Sequence, residues 1–203
     1  LHKFGTEALF SHIAVDVCRQ EYINCLFNHS DTSALSLTGE YLPDSDEQAI
    51  SITHGHSKDH RPDLKQVMLE MMVTQNGGIP ILFKSLDGNS SDNTVFQERA
   101  AALIKEFEQS ETPRYIVADC KIYTQKNARN LSKLLFVTRI PQNIQEVEGV
   151  TLQALDTADE WLECDDGRKV KAFNVEHYDI KQRRLVVSSE TSREKAVRKI
   201  EKR

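Results

Sequence analysis

The sequence predicts a mixed α/β fold, a sheet with flanking helices followed by a β-rich section. Three observations carry that expectation. Apolar residues alternate with polar ones on both sides of Asn76-Gly77-Gly78, the mark of a β-hairpin. Downstream, apolar stripes at helical spacing alternate with short strand-like runs, the order of strand–helix–strand crossovers. Beyond Gln142 the character shifts to a second turn, Asp165-Asp166-Gly167, between strand-like flanks.

Taken in order, Thr6 to Arg19 reads as a helix with Phe10, Ile13, Ala14 and Val17 on one face. A strand follows from Tyr22 to Leu37, in which Ile23, Cys25 and Phe27 alternate with polar residues and Asp31 lies inside. Residues Ala49 to Thr53 form a short apolar strand leading to a cluster from His54 to Pro62. Val67, Leu69, Met71 and Val73 share one face of the first hairpin strand. Ile79 to Leu86 returns as the second, ending at the turn Asp87-Gly88-Asn89. A helix capped between Asp92 and Thr94 buries Phe96, Ala100, Leu103 and Phe107. Tyr115 to Ala118 is a strand with Asp119 at its C-terminal end. A short helix, Thr124 to Lys133, leads to a strand from Leu134 to Ile140 that Pro141 halts. Asp159 to Cys164 and Arg168 to Val175 flank the second hairpin, Leu185 to Ser188 adds a strand, and Thr191 to Arg203 is a charged helix. The expected organisation is a helical lead-in over 1–21, a core over 22–141, a β-rich section over 142–190 and a charged helix over 191–203.

With 203 residues and 39% hydrophobic content, the chain can bury one core and carry an appended piece. Its composition is not that of a disordered chain, and no apolar run approaches the roughly 18 residues of a membrane span, so no membrane partner is expected. The chain begins at Leu1 with no signal-peptide pattern. A start in mid-helix and a finish in a basic helical run point to an excised fragment. Cys18, Cys25, Cys120 and Cys164 form no Cys-x-x-Cys pair, which favours reduced thiols in a cytoplasm. Net charge is −5, yet Arg168 to Arg203 carries +7 and the remainder −12. Such a chain can hold DNA by one flank; a solvated helix accounts for the same charges equally well.

Asp31 and Asp119 both fall in or at the end of strands. Two carboxylates from neighbouring strands offer hard oxygen ligands for Mg²⁺. Two such ions about 4 Å apart activate a nucleophile and stabilise a leaving oxygen in phosphoryl displacement. Among 31 acidic residues the pair is not distinctive by itself, and Asp44, Asp59, Asp63, Asp87 and Asp92 are open to the same role. His54, His56 and His60 invite a zinc-binding reading, against the commoner one of strand-end histidines bonding backbone or phosphate. Lys58, Arg61 and Lys65 offer donors to DNA phosphates, as does Arg139, with an exposed basic loop as the plainer alternative. Trp161 is read as core rather than as a base-stacking platform.

Several stretches together resemble a known family. His29-Ser30-Asp31-Thr32-Ser33 and Gly39-Glu40-Tyr41 resemble the first-aspartate segment of bacterial insertion-sequence transposases of the Asp-Asp-Glu superfamily. The fourteen residues from Thr53 to Gln66 (THGHSKDHRPDLKQ) are very similar to a signature run of one branch. Gly78-Ile79-Pro80, Asp87 to Asp92, Val117-Ala118-Asp119, Tyr123-Thr124 and Phe136 to Pro141 follow in the family's order. The resemblance, over about residues 29 to 141, implies a ribonuclease-H-like core with Asp31 on its first strand and Asp119 on its fourth, adjacent in the sheet. It implies Mg²⁺ or Mn²⁺ as cofactor, and DNA, both transposon ends and target, as partner. It also implies a homo-oligomer at synapsis and a bacterial cytoplasmic location. The section after Pro141 would be the β-rich insertion of that branch. The family's third acid is a Glu in a Tyr-x₂-Arg-x₃-Glu-x₆-Lys pattern, which this sequence lacks: after Tyr178 come Lys181 and Leu185 at the Arg and Glu positions. The expectation is a catalytic-domain fragment of a transposase with negligible activity of its own. The alternatives are an inactive truncated remnant that binds DNA or a partner, and a zinc module at His54, His56 and His60.

Overall fold

The computed structural model describes residues 5–41, 50–56, 60–90, 114–125, 127, 135–141, 143–157 and 161–201. The chain divides into two compact units, residues 1–139 and 140–203.

The first unit contains helix α1 (Thr6–Gln20) and strands β1 (Phe27–Leu37), β2 (Lys65–Thr74), β3 (Pro80–Leu86), β4 (Tyr115–Ala118) and β5 (Leu135–Thr138). They form one sheet in the order β3-β2-β1-β4-β5. β1–β2 and β2–β3 are antiparallel, β1–β4 and β4–β5 parallel. This is the expected mixed α/β, ribonuclease-H-like arrangement. The hairpin forms where the sequence places it, because Gly77 and Gly78 take φ of 82° and 62°, a region costly for other residues.

The core joins Ala14, Val15 and Cys18 of α1 to Cys25, Met72, Ile81, Leu82 and Ile116, and Phe10 meets the edge of Phe83 at 4.7 Å. α1 therefore buries a stripe rotated from the expected one. Phe10 and Ala14 face the sheet as predicted, whereas Ile13 is 56% and Val17 41% exposed. Ala14 and Cys18 are small, so this face lets the helix approach β3 closely. β2 departs from expectation in the same way. Its more deeply buried face carries Gln66, Met68, Glu70, Met72 and Thr74, and the Val67–Val73 face is only half-buried. Counting apolar residues misleads here because Gln66 and Thr74 find partners for their buried polar groups. Gln66 Nε2 donates to the Gly88 carbonyl at 2.6 Å, and the Thr74 hydroxyl donates to the Asn76 carbonyl at 2.7 Å.

β1 starts at Phe27 rather than Tyr22, since Tyr22 has φ 54° and Ile23 N–H donates back to the Cys18 carbonyl at 2.9 Å, closing α1. The strand expected up to Thr53 reduces, in its described part, to a single bridge between Thr53 and Gln66. That bridge is clasped to the turn after β3. Ser51 N–H donates to Asp87 Oδ1 at 2.8 Å and Gly88 N–H to the Ser51 carbonyl at 3.0 Å. A Cβ at Gly55 would land on the Gly88 carbonyl, and one at Gly88 on the Gln66 carbonyl. The helix expected from Asp92 and most of that from Thr124 to Lys133 lie outside the described residues; a 3₁₀ turn, Cys120–Ile122, follows Asp119.

The second unit holds helix α2 (Gln145–Asp156), strands β6 (Leu162–Glu163), β7 (Lys169–His177) and β8 (Ile180–Ser188), and helix α3 (Glu190–Glu201). The three strands form an antiparallel sheet in sequence order. α2 corrects the expectation of a section without such a helix. Val147, Val150, Thr151 and Ala154 recur at helical spacing, and Ala154 is fully buried. β8 begins five residues before the expected Leu185. Its turn, Tyr178-Asp179, takes φ of 55° and 60°, a two-residue hairpin turn made without glycine. Lys171, buried, donates to both oxygens of Thr157 at the C-terminal end of α2, where a cation meets the helix's free carbonyls. α3 buries no residue, and Trp161 is half-buried. Among the described residues no helix is long and apolar enough to cross a membrane.

These contacts set three expectations for stability. Gly88→Ala should lower stability by about 2 kcal/mol or more in urea unfolding, because backbone rather than a movable side chain occupies the space. Gly149→Ala, in α2 with open space around it, should raise stability by about 0.5–1 kcal/mol. Burial, and next the adjacent Cys25, push the Cys18 thiol up to about 12 from 9.0. The folded thiol keeps its proton where the unfolded one loses it. Its contribution is thus whole below 9.0 and is lost as pH climbs toward about 12. Urea midpoints should fall across that interval, and Cys18→Ala should flatten the fall.

Candidate active site

The sheet changes direction at β1, antiparallel to β2 on one side and parallel to β4 on the other. Parallel strands of this kind place ligands beyond their carboxyl ends. The β1–β4 register pairs Phe27 with Tyr115 and ends with Ser30 opposite Ala118. Carried one residue further, it sets Asp31 opposite Asp119, on strands spaced about 4.8 Å apart. The β4–β5 register ends with Ala118 opposite Thr138, so its continuation sets Arg139 beside Asp119. Asp31, Asp119 and Arg139 each directly follow the last paired position of the parallel strands, and all three are exposed.

The two acids are supported differently. Asp31 lies inside an eleven-residue strand opposite Met71 of β2, and its Oδ1 accepts the Thr32 N–H at 2.7 Å. Asp119 lies one residue past β4. Its carbonyl accepts the Thr138 hydroxyl at 2.8 Å and, at 3.4 Å, the Ile122 N–H that closes the 3₁₀ turn. Two carboxylates with this chemistry suit a hard divalent cation such as Mg²⁺ or Mn²⁺.

The other candidates fall elsewhere. Arg61 spends its guanidinium on Asp63, with Nε–Oδ1 at 2.9 Å and Nη2–Oδ2 at 2.7 Å. Asp63 is held below the usual carboxylate range by that hydrogen bond, and Arg61 is raised by it. Lys65 Nζ donates to the Tyr41 carbonyl at 2.6 Å. Both cations are held by the chain itself, and Lys58 lies outside the described residues. His54, His56 and His60 are exposed, and His60 takes φ 55°. Among the described residues no three His, Cys, Asp or Glu side chains come together as metal ligands, so the three histidines do not gather around a zinc position. Thr138 escaped the sequence reading because nothing in a strand-end threonine announces a bond to a residue nineteen positions away.

Neither the known protein-family profiles nor the curated protein sequences contain a match to the chain. Among solved structures it is similar to the Mos1 transposase paired-end complex with left transposon end (13% identity, TM-score 0.37), covering 72% of this chain and 47% of that one. The piggyBac transposase synaptic complex with hairpin DNA gives 14% identity and TM-score 0.41, over 91% of this chain and 40% of that one. The catalytic domain of Mos1 mariner transposase gives 10% and 0.36, over 73% and 69%. The chain thus spans less than half the length of the first two. Likeness at this level says nothing of what this chain does.

Proposed function

We propose that the chain is part of the catalytic domain of an Asp-Asp-Glu transposase of a bacterial insertion sequence. The observation that carries the reading is the β1–β4 register, which ends with Ser30 opposite Ala118, one residue before Asp31 and Asp119. The ordered sequence resemblance from residue 29 to 141 supports it independently. In this reading Asp31 and Asp119 hold Mg²⁺ or Mn²⁺, which when bound polarises a phosphodiester oxygen and acidifies water. Neither acid forms a covalent intermediate. They fix the geometry in which water opens the bond at a transposon end and the freed 3′-hydroxyl then opens target DNA. Arg139 offers donors to a phosphate oxygen, as does Lys58, and Arg61 and Lys65 contact backbone phosphates after exchanging Asp63 and the Tyr41 carbonyl. The partners are transposon ends, target DNA and further copies of the protein at synapsis, in a bacterial cytoplasm.

Two acids of three make the chain alone a poor nuclease. With Mn²⁺ and supercoiled plasmid, nicking should not exceed the background of Asp31→Asn. Mn²⁺ should still bind, in competition with Mg²⁺, and Asp31→Asn or Asp119→Asn should remove most of that binding. Equal Mn²⁺ binding in wild type and both variants would sink the reading. Metal-dependent nicking that Asp31→Asn abolishes would instead show that the chain is active alone.

A further inference from the structure

We propose that Thr138 is a positioning residue for Asp119, an inference that rests on the reading just given. Asp119 is the one acid of the pair not held in a strand ladder. β4 ends at Ala118, so the direction of the Asp119 side chain depends on backbone torsions that strand pairing no longer fixes. What fixes them is its carbonyl. The 3₁₀ turn supplies a long bond from Ile122 N–H at 3.4 Å, and Thr138 supplies a short one at 2.8 Å from the neighbouring strand. The turn is itself anchored, by buried Ile122 and Tyr123 and by Asn127 Nδ2 donating to the Ile122 carbonyl at 3.2 Å. Thr138 thus ties β5 to the first residue after β4, across the strand pair that the register leaves open at that point.

The hydroxyl alone makes this bond; the Thr138 methyl does not take part. Removing the hydroxyl leaves the strand intact and takes away the shorter of these two bonds to the Asp119 carbonyl, so metal affinity falls while the fold persists. The test is Mn²⁺ titration of the whole chain by water-proton relaxation, with circular dichroism and thermal unfolding in parallel. Thr138→Val, nearly the same shape, should bind Mn²⁺ about three- to tenfold more weakly, the range that one hydrogen bond is worth. Thr138→Ala should weaken it alike, and Thr138→Ser, which keeps the hydroxyl, should restore it. Wild-type affinity in Thr138→Val or Thr138→Ala, alongside loss in Asp31→Asn, overturns the role of Thr138 and leaves the metal reading standing. Undiminished binding in Asp31→Asn and Asp119→Asn overturns both. A Thr138→Ser variant as weak as Thr138→Val also overturns it, since the side chain would then act by shape.

Discussion

The parallel pairing of β1 with β4 is the constraint on which the rest depends. Slipping it by one residue would turn every β4 side chain to the other face and move Asp119 out of line with Asp31. Several contacts at the start of the pair resist that slip. Tyr115 N–H donates to the Leu26 carbonyl at 2.7 Å, Arg114 Nη1 to the Cys25 carbonyl at 3.1 Å, and the Tyr115 ring stacks on Phe27 at 5.0 Å. The register is thus locked at one end and exploited at the other. β1 is eleven residues long and β4 only four, so β1 continues past Ala118 with a partner on its β2 side. Asp31 sits where the parallel pairing stops. That is the place in such a sheet where a side chain can face a ligand while its backbone remains bonded.

The run from Thr53 to Gln66 is the most distinctive stretch of the sequence, and much of it is occupied with packing. Gly55 admits the Gly88 carbonyl, and Gln66 is buried with its amide on that same carbonyl. Arg61 and Asp63 hold each other, and Lys65 holds Tyr41. A glycine, a buried amide and a charged pair in fixed spacing can therefore look like a catalytic signature when their first task is to bind a loop to β2 and to the turn after β3. The exposed histidines ride on this clasp without meeting one another.

What the sequence made legible follows a simple rule: local signals read well, competing ones did not. β4 was bounded correctly because a short apolar run lies between Pro113 and Asp119, and the Gly77-Gly78 turn because its torsions demand glycine. α1 was legible as a helix but not in its buried face, since large apolar residues occupied one stripe and small ones the stripe that packs. α2 was missed, its apolar positions being sparse and Gly149 lying among them. The β7–β8 turn was missed because Tyr178 and Asp179 adopt torsions that their identities disfavour. Of the candidate site, both acids are named by the sequence, as strand-end carboxylates and through the resemblance, and the structure shows the strands that carry them pairing in parallel. Their neighbour Arg139 was legible as a strand-end cation, and Thr138 was not, because a hydrogen bond between strands is written in no single segment.

The basic C-terminal section shows how far charge counted along a chain differs from charge offered to a partner. Arg168 to Arg203 carries +7, but Arg168 is paired with Asp166 and Lys169 with Glu163, acids that precede the section. Within it, Arg193 faces Glu190 and Arg198 faces Glu194 across turns of α3. Lys171 and Arg184 are buried. Among the described residues of the section, the exposed cations outside those pairs are Lys181 and Arg183 on β8 and Lys195 and Lys199 on α3. Attraction of an anion by separate exposed cations is sensitive to salt. Charge counted along the section is therefore larger than the charge left outside its ion pairs.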